Sequence, residues 1–487
     1  MQETTYYHSL DAVPLETLVK DEYRIYQIYT LMDRAIPYLQ DGLKPSQRRI
    51  LYTLFKNQSK GLMKVSSVTG LVLTLHPHGP ASIESSIVNM AQDYTFSNNY
   101  PLIDKKGYFG ERMETQAAAA RYIECKLGEV ARSILFDDMN QVQMVPNYDE
   151  KVMEPVGLLP KLPIMLLNGA EGIGTGFSSV IPSFKHNDII ASMKEVINNG
   201  KTKKIKPWSR YFSEKISVEK TGKITFPMAF DEIDEKIYIT ELPRGYDAKK
   251  IYKFLNKHIE NDFLKDYIDS SVDNTIQIEL LFKRNQTPTL KQVKNVMGIV
   301  SNQTPNYTLI SERGVKVLDQ AEQIIEIFTH QRLEVVKRRY ELLVSDAKER
   351  LMKNNEIIRF IKEKQYNQAE KKANRRDYVD YLSKKKFLYS EYLADMAIYR
   401  MTKEEVEKRT FMIKDDKKKI KEYELVLSSK ARIKKKLILE LDEVSVSLDE
   451  IMKKKDDAKK KVFKMLEKAT SKATKKADKK AAKKKRK

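Results

Sequence analysis

The segment Ala117-Ala-Ala-Ala-Arg-Tyr122 governs the interpretation of this chain, because it places a phenol next to a guanidinium. Two upstream segments complete the pattern: Asp41-Gly-Leu-Lys-Pro-Ser-Gln-Arg-Arg49 and His76-Pro-His-Gly79. A tyrosine with a pKa of about 10 is a poor nucleophile unless a neighbouring cation stabilises its charged form. Together the segments supply a nucleophile, a guanidinium beside it, and a basic, imidazole-bearing surface suited to phosphate. This set of groups can break a DNA strand through a phosphotyrosine bond.

The composition favours a multidomain protein with a polyanionic partner. A chain of 487 residues is too long for one compact core. Its net charge of +22 favours binding to nucleic acid. Residues 468–487 contribute eleven Lys or Arg against one Asp, and the rest of the chain stays basic without them.

The cysteine content and the hydropathy pattern predict an intracellular, soluble protein. Cys125 is the single cysteine, which excludes an internal disulfide and favours a reducing compartment. No apolar run approaches the roughly 20 residues that a membrane-spanning helix needs. The first residues lack the charged and apolar regions of a signal peptide.

The pattern of apolar residues predicts an α+β multidomain fold. The stretches Lys236-Ile-Tyr-Ile-Thr-Glu-Leu242 and Thr275-Ile-Gln-Ile-Glu-Leu-Leu-Phe282 alternate as half-buried strands do. Residues 248–263, between them, have the spacing of a helix.

Residues 317–467 contain no proline or glycine, and their apolar residues recur at helical spacing among dense charges. A polar helical stretch of this length predicts long antiparallel helices over a thin apolar seam. An isolated solvated rod is the alternative. Residues 377–401 could form a small helical knot between the two arms. The Lys- and Ala-rich residues 468–487 are expected to be disordered.

The segment 41–49 predicts a turn followed by a helix from about Ser46, with Ser46 as the cap. Lys44, Arg48 and Arg49 lie where basic residues disfavour a helix start, so they suggest a phosphate-facing surface. An ordinary solvated face is the alternative. His76 and His78 could donate hydrogen bonds to a phosphate or accept the phenolic proton. Their spacing is poor for zinc, and no metal site is predicted.

Residues 168–176 contain four glycines after the apolar run 164–167. They lack the Gly-Lys-Ser/Thr ending of a phosphate-binding loop. Either they form a tight glycine turn, or they form a loop that presents Ile173 to DNA as an apolar wedge.

Taken in order, these residues resemble the DNA-breaking A-type chain of type IIA topoisomerases, the family of gyrase and topoisomerase IV. The resemblance rests on short segments that occur in the family's order: Arg34-Ala-Ile-Pro37, 41–49, 76–79, Met90-Ala-Gln92, Gly107-Tyr-Phe-Gly110 and Ala118-Ala-Ala-Arg-Tyr122. Residues 166–176 are closer to the eukaryotic and phage branches than to bacterial gyrase. The organisation looks most like that of the medium subunit of T4-like phage topoisomerases.

The resemblance implies a domain order. Its expected parts are an N-terminal arm at 1–25, a winged-helix breakage-reunion domain at 26–155, an α/β tower at 156–316, an antiparallel coiled coil with a C-terminal dimer gate at 317–467, and the basic tail at 468–487.

The resemblance also implies roles for individual residues. Tyr122 would be the nucleophile that forms a 5′-phosphotyrosine, and Arg121 would stabilise the transition state. His78 is the third expected catalytic residue, and Ile173 would bend the DNA. The other expected DNA contacts are Arg34, Lys44, Gln47, Arg48, Arg49, His76 and His78.

The implied function is DNA cleavage and religation within an ATP-dependent type II topoisomerase. Mg²⁺ and ATP would be bound by a partner, the B-type subunit carrying the TOPRIM and ATPase domains. Two copies of this chain would pair around double-stranded DNA, in the cytoplasm of a bacterium or a phage-infected bacterial cell. The alternatives are a non-catalytic architectural protein on the same fold and a tyrosine recombinase.

Overall fold

The computed structural model describes residues 15–284 and 288–484, with side chains up to Lys461 apart from those of Asp21 and Glu22. Contacts divide the chain into two compact units. One contains the described residues up to Thr329 together with those from Leu441 onward, and the other is His330–Glu440. In the described part of the chain, no helix is long and apolar enough to cross a membrane.

The first unit begins with a helical segment in which α- and π-helical turns alternate. Its pieces are α1 Leu15–Thr17, a π-helical Leu18–Tyr23, α2 Arg24–Thr30 and a π-helical Leu31–Ala35. Many of its apolar side chains are exposed, including those of Leu15, Ile25 and Tyr26. An apolar surface of this kind usually marks a site that another protein covers.

Three helices and a small antiparallel sheet follow. The helices are α3 Pro45–Lys56, α4 Val65–Val72 and α5 Pro80–Ala91. The strands β1 Met63–Lys64, β2 Ile103–Lys106 and β3 Glu124–Leu127 pair in the order β1-β3-β2. The short helix α6 Glu129–Leu135 follows β3.

The helix α3 forms where the sequence predicts a helix, but its cap differs from the prediction. Pro45, not Ser46, is its first residue, and Lys44 is the N-cap. Proline suits this position because its fixed φ fits the first turn, where its missing N–H would have no intrahelical partner. Ile50, Leu51 and Leu54 bury one face of α3 almost completely. This face forms the core against α4 and α5.

Two hairpins and two helices continue the first unit. The hairpins are β4 Met144–Pro146 with β5 Met153–Pro155, and β6 Ala170–Gly174 with β7 Phe177–Ile181. The helices are α7 Ile164–Leu167 and α8 His186–Asn199. Residues 168–176, for which a turn or a wedge loop was predicted, thus enter the second hairpin.

A mixed α/β region follows. Its elements are β8 Ser217–Val218, β9 Ile224–Pro227, β10 Ala229–Ile233, β11 Lys236–Glu241, α9 Ala248–Glu260, β12 Asp266–Asp269, β13 Ile278–Leu281, α10 Leu290–Met297, β14 Val300–Gln303, β15 Tyr307–Ser311 and β16 Gly314–Leu318. The main sheet has the order β10-β11-β13-β12. The two predicted strands and the predicted helix are confirmed as β11, β13 and α9. Ile239, Ile278 and Leu255 bury their inner faces.

The second unit is built on long helices. The described helices from residue 321 onward are α11 Ala321–Lys362, α12 Arg375–Lys384, α13 Ser390–Ala394, α14 Lys403–Leu427 and α15 Lys430–Lys484. The pairs Arg350–Asp416 and Asn354–Arg409 run in opposite sequence order, so α14 is antiparallel to α11. A buried cluster that includes Phe360 and Leu382 forms a helical knot in the region predicted for it.

The predicted disorder of 468–487 is not confirmed, because the backbone of α15 continues as helix to Lys484. Residues 485–487 lie outside the described residues. Within the first unit, α15 is held by ion pairs such as Lys455–Asp104 at 2.5 Å and Arg210–Asp456 at 2.6 Å.

Candidate functional site

Tyr122 lies at the surface on a firmly anchored backbone. Its side chain is 66% exposed, while the next residue, Ile123, is buried. The carbonyl of Ile123 accepts a hydrogen bond from the amide of Val65 at 3.0 Å, and that of Ala120 accepts one from Ser66 at 3.3 Å. Both donors belong to the first turn of α4. The phenol is therefore accessible, while the backbone that bears it is held by the start of α4 and by β3.

Arg121 is close enough to act on the phenol. Its guanidinium carbon lies 4.8 Å from the centroid of the Tyr122 ring. The alanines 117–120 form an extended loop and a turn, so the helical alternative for them is wrong. Small side chains in this loop leave room for a DNA backbone to approach.

Arg49 and His76 form the inner part of a second cluster. The Arg49 Nε and Nη2 atoms donate to both carboxylate oxygens of Glu154, at 2.6 and 3.0 Å. The Arg49 Nη1 atom lies 2.8 Å from His76 Nδ1. Since a guanidinium only donates, His76 Nδ1 accepts and His76 Nε2 carries the ring proton. Neutral His76 can therefore donate a hydrogen bond to a phosphate.

His78 lies on the outer side of this cluster. Arg34 donates to His78 Nδ1 at 3.1 Å, and His78 Nε2 lies 3.4 Å from an Asp33 carboxylate oxygen. Neither ring nitrogen is then free to accept another proton. This arrangement favours a role for His78 in phosphate binding over the predicted role as proton acceptor.

The cluster borders an open cavity of about 590 Å³. The cavity is lined by Arg34, Ser46, the two histidines and the first turn of α5 from Pro80. The amides at the start of a helix attract anions. Guanidinium, imidazole and helix N-terminus thus face one space, a combination that suits a DNA phosphate.

Two predicted DNA ligands serve the fold instead. Arg48 is 5% exposed, and its guanidinium donates to the carboxylate of Asp41 at 2.6 and 3.2 Å. Its burial leaves it no surface for DNA. The side chain of Gln47 accepts a hydrogen bond from the Lys44 amide at 3.0 Å and so closes the first turn of α3.

Lys44 supports the wedge hairpin β6–β7. Its ammonium donates to the carbonyl of Glu171 at 2.8 Å, and burial lowers its pKa. The carboxylate of Glu171 pairs with Arg244 at 2.6 Å. Gly172 lies so close to the π-helical turn that a Cβ atom there would be 1.9 Å from the carbonyl oxygen of Ala35. The hairpin is therefore fixed on both sides.

Ile173 lies on this fixed hairpin and is 89% exposed. It pairs with Ser178 across the two strands. An isoleucine so exposed on a rigid hairpin gains no stability from the fold, so its geometry suits insertion into an apolar partner such as a base step.

The two chemical clusters are separate within one chain. Among the described residues, no hydrogen bond, ion pair or ring contact joins Tyr122 to His76 or His78. Tyr122 is tied to the first turn of α4, whereas His76 follows its end, and eight helical residues span about 12 Å. In the described ranges, no group of three or more His, Cys, Asp or Glu side chains could hold a metal ion.

The sequence reasoning missed the acidic partners of the cluster. Asp33, Glu154 and Glu171 orient His78, Arg49 and the hairpin, respectively. Glu154 and Glu171 lie more than 70 residues from Arg49 or Arg244, so no local spacing indicates these pairs. Asp33 directly precedes Arg34, and this acidic-basic pair is a signal that could have been used.

The buried imidazole of His76 predicts acid sensitivity. Burial, Arg49 and His78 lower its pKa to about 4, against the opposing effect of Asp33. Below pH 6.5 the unfolded chain then binds a proton that the folded chain does not, so stability is present above this pH and falls as the pH drops. Between pH 7 and 5 we expect His76 to account for a loss of about 2 kcal/mol in the free energy of unfolding.

Denaturant unfolding of the parent and of His76→Asn at both pH values measures this contribution. The Asn oxygen can replace Nδ1 as the acceptor for Arg49 and does not titrate. We expect the variant to lose about 2 kcal/mol less than the parent between pH 7 and 5. Equal losses in both proteins would show that His76 titrates normally.

Comparisons with known proteins agree on one family. The model of the gyrase A family, described as that of the A-type chain of DNA gyrase/topoisomerase IV, matches residues 34–442. DNA topoisomerase 2 of Arabidopsis thaliana is 34% identical over 346 residues, which are 68% of this chain and 24% of that protein. DNA topoisomerase 2 of Acanthamoeba polyphaga mimivirus is 38% identical over 232 residues, which are 46% of this chain and 18% of that protein.

A solved structure gives the same result. The crystal structure of the DNA-binding, cleavage and re-ligation domain of Plasmodium falciparum topoisomerase II matches with a TM-score of 0.78 and 26% identity. The match covers 89% of this chain and 64% of that chain. The chain spans about a quarter of the length of relatives such as the Arabidopsis protein. These relatives come from eukaryotes and a giant virus, so they do not support the predicted bacterial or phage setting.

Proposed function

This chain belongs to the family of the A-type chain of DNA gyrase/topoisomerase IV, and we propose on that premise that it cleaves and religates the DNA of a type IIA topoisomerase. The observation that carries the proposal is the exposed Tyr122 with the Arg121 guanidinium 4.8 Å from its ring, on a backbone anchored to α4 and β3. The resemblance of the ordered sequence motifs supports it.

The chemistry is a transesterification. The Tyr122 oxygen attacks a DNA phosphorus, the bond between phosphorus and the 3′ oxygen breaks, and the 3′ oxygen leaves with a proton as a hydroxyl. The 5′ phosphate stays on Tyr122, and attack by the same hydroxyl reverses the step. Arg121 stabilises the phenolate and the charge on the pentavalent phosphorus. Because one phosphodiester replaces another, religation needs no external energy.

The second cluster holds the DNA backbone in this proposal. Arg34, His76 and His78 face the cavity at the start of α5 and contact phosphate there. Arg49 acts through His76, which it holds in one tautomer. Lys44, Gln47 and Arg48 support the surface from behind.

The domain order proposed from the resemblance fits the elements described here. The bundle of α3, α4 and α5 with the β1-β3-β2 sheet corresponds to the winged-helix domain at 26–155. The β10-β11-β13-β12 sheet with α9 falls within the tower at 156–316. The long helices from α11 onward fall within the coiled coil and C-gate at 317–467.

Two exposed apolar surfaces support the proposed partners. In the second unit, Leu388, Ile398, Tyr399 and Phe411 are each more than 70% exposed, which suits a dimer contact with a second copy. In the first unit, the exposed N-terminal helical segment suits docking of the B-type partner. We propose that this partner binds ATP and Mg²⁺, since the described residues bring together no suitable group of metal ligands.

The wedge role of Ile173 is testable without cleavage. Replacing Ile173 with Ala removes most of the side chain that would enter a base step, so we expect a smaller DNA bend and about tenfold weaker binding. Fluorescence energy transfer between the ends of a labelled duplex, measured without Mg²⁺, reports the bend.

Ile233→Ala is the matched control for this wedge test, because Ile233 is 51% exposed at the end of β10, outside the proposed interface. Equal bending by the parent and Ile173→Ala would refute the wedge. A loss of bending in both variants would show that the effect is not specific to Ile173.

The linking number of a single plasmid topoisomer tests the proposed function. The full protein, with any subunit that copurifies, is incubated with the topoisomer, ATP and Mg²⁺. Passing one duplex through a double-strand break changes the linking number in steps of two, whereas a single-strand break allows steps of one. Steps of two are expected. Steps of one, or binding without any change, would contradict the proposal, and binding alone would favour the architectural protein.

A further inference from the structure

The loop that precedes Tyr122, residues 108–118, is closed at its base. The amide of Ala118 donates to the carbonyl of Tyr108 at 3.0 Å. The side-chain amide of Gln92 donates to the carbonyls of Phe109 and Thr115 at 2.9 and 3.0 Å. Gly110 has φ +86°, and a Cβ there would lie 2.5 Å from the Thr115 oxygen. A rigid loop therefore ends four residues before Tyr122.

The tip of the 108–118 loop is built into the tower sheet. Met113 is buried in the cluster that contains Ile239 and Ile278. The amide of Ala248, the first residue of α9, donates to the carbonyl of Met113 at 3.0 Å. The amide of Arg112 donates to the carbonyl of Asp273 at 3.3 Å. The loop thus connects the tower directly to the segment that bears the tyrosine.

Arg112 makes most of this connection. Its side chain is 4% exposed, and its guanidinium donates to the carbonyls of Leu242, Pro243 and Tyr246. These carbonyls line the connection from β11 to α9. A planar guanidinium can reach three fixed acceptors at once, whereas a lysine ammonium on its flexible stem cannot hold the same geometry.

One corner of the guanidinium remains unsatisfied. Arg112 Nε is buried without a hydrogen-bond partner and lies 3.9 Å from a Glu241 carboxylate oxygen. That oxygen accepts a hydrogen bond from the Leu242 amide at 2.9 Å. Burial raises the pKa of Glu241 to about 7 although Arg112 opposes the shift, and Glu214 adds to it. A small displacement of the loop against the tower would close or open this ion pair.

We propose that Arg112, braced by Glu241, is a positioning residue that locks the 108–118 loop to the tower and so sets the alignment of Tyr122 with the DNA phosphate. The proposal rests on the proposed cleavage by Tyr122. Because the loop base is rigid, a shift of the tower at 242–246 moves the backbone that carries Arg121 and Tyr122.

Arg112→Lys tests the lock, with Arg210→Lys as the matched control. Arg210 is also largely buried, also has an unpartnered Nε, and pairs with Asp456 away from the loop. The full protein with its copurifying subunits is mixed with duplex DNA and Mg²⁺ and stopped with detergent. At saturating DNA we expect Arg112→Lys to form the covalent complex at least tenfold more slowly than the parent. Its DNA affinity should change less than twofold, and Arg210→Lys should match the parent.

A second variant keeps the test decisive if Arg112→Lys folds poorly. Glu241→Gln retains the acceptor for Leu242 and removes the charge that faces Arg112. We expect the ratio of its cleavage rate to the parent's to be near one at pH 6, where both side chains are neutral, and to fall at least threefold by pH 8. Taking the ratio cancels the titration of Tyr122, which is common to both proteins.

The outcomes separate this inference from the proposed function. If the parent forms no covalent complex, the proposed function fails. If the parent cleaves, Tyr122→Phe does not, and Arg112→Lys matches the parent, only the positioning role is overturned. If Arg112→Lys loses DNA affinity or unfolds, the Glu241→Gln ratio decides: a fall with pH supports the lock, and a constant ratio overturns it.

Discussion

Replacing Tyr122 with Phe should abolish covalent attachment of the protein to DNA, to below about one thousandth of the parent rate. The substitution removes only the oxygen that attacks phosphorus. Since the Tyr122 side chain is 66% exposed, the fold should be unaffected. Detergent-stopped reactions with plasmid and Mg²⁺, analysed for linear DNA that carries protein, measure the loss.

Tyr148→Phe is the control for this substitution. Tyr148 is also exposed, at 57%, and lies in the turn between β4 and β5. It should cleave like the parent, and both variants should bind DNA with the parent's affinity. Cleavage by Tyr122→Phe at the parent's rate would remove Tyr122 as the nucleophile.

Replacing Asp41 with Ala should destabilise the first unit by about 3–5 kcal/mol, because it leaves a buried guanidinium without its partner. The Asp41 carboxylate is fully buried and binds Arg48. It also accepts hydrogen bonds from the amides of Leu43 at 3.1 Å and Leu158 at 3.0 Å. The substitution therefore unties the start of α3 from the chain at residue 158.

Urea unfolding of the parent and two variants measures this cost. Asp137→Ala is the control, because Asp137 is 55% exposed and its ion pair with Lys161 should contribute less than about 1 kcal/mol. Comparable small losses in Asp41→Ala and Asp137→Ala would contradict the structural role of the Asp41–Arg48 pair. A large loss for Asp41→Ala alone supports it.

Local patterns in the sequence predicted much of the secondary structure. Strands β11 and β13 follow from alternating apolar residues, and α9 follows from helical spacing. The long helices from residue 321 onward follow from the absence of proline and glycine. The exposure of Ile173 matches one of the two alternatives drawn from the glycine-rich segment.

Long-range pairing explains what the sequence did not predict. Arg48 lies among basic residues that suggest a DNA surface, yet its ion pair with Asp41 buries it. Lys44 points its ammonium at Glu171, 127 residues away. The contacts of Arg112 with 242–246 join positions about 130 residues apart. Such contacts depend on how separate elements pack, which local spacing does not encode.

Mapping the covalent adduct tests the central claim most directly. The complex is trapped with detergent, digested with nuclease and trypsin, and analysed by mass spectrometry. Cleavage after Arg121 and Lys126 gives the peptide Tyr122-Ile-Glu-Cys-Lys126, which holds a single tyrosine. The account predicts a nucleotide phosphate on this peptide, with free 3′ hydroxyls and blocked 5′ ends on the cut DNA. An adduct on another residue, or attachment through the 3′ end, would contradict it.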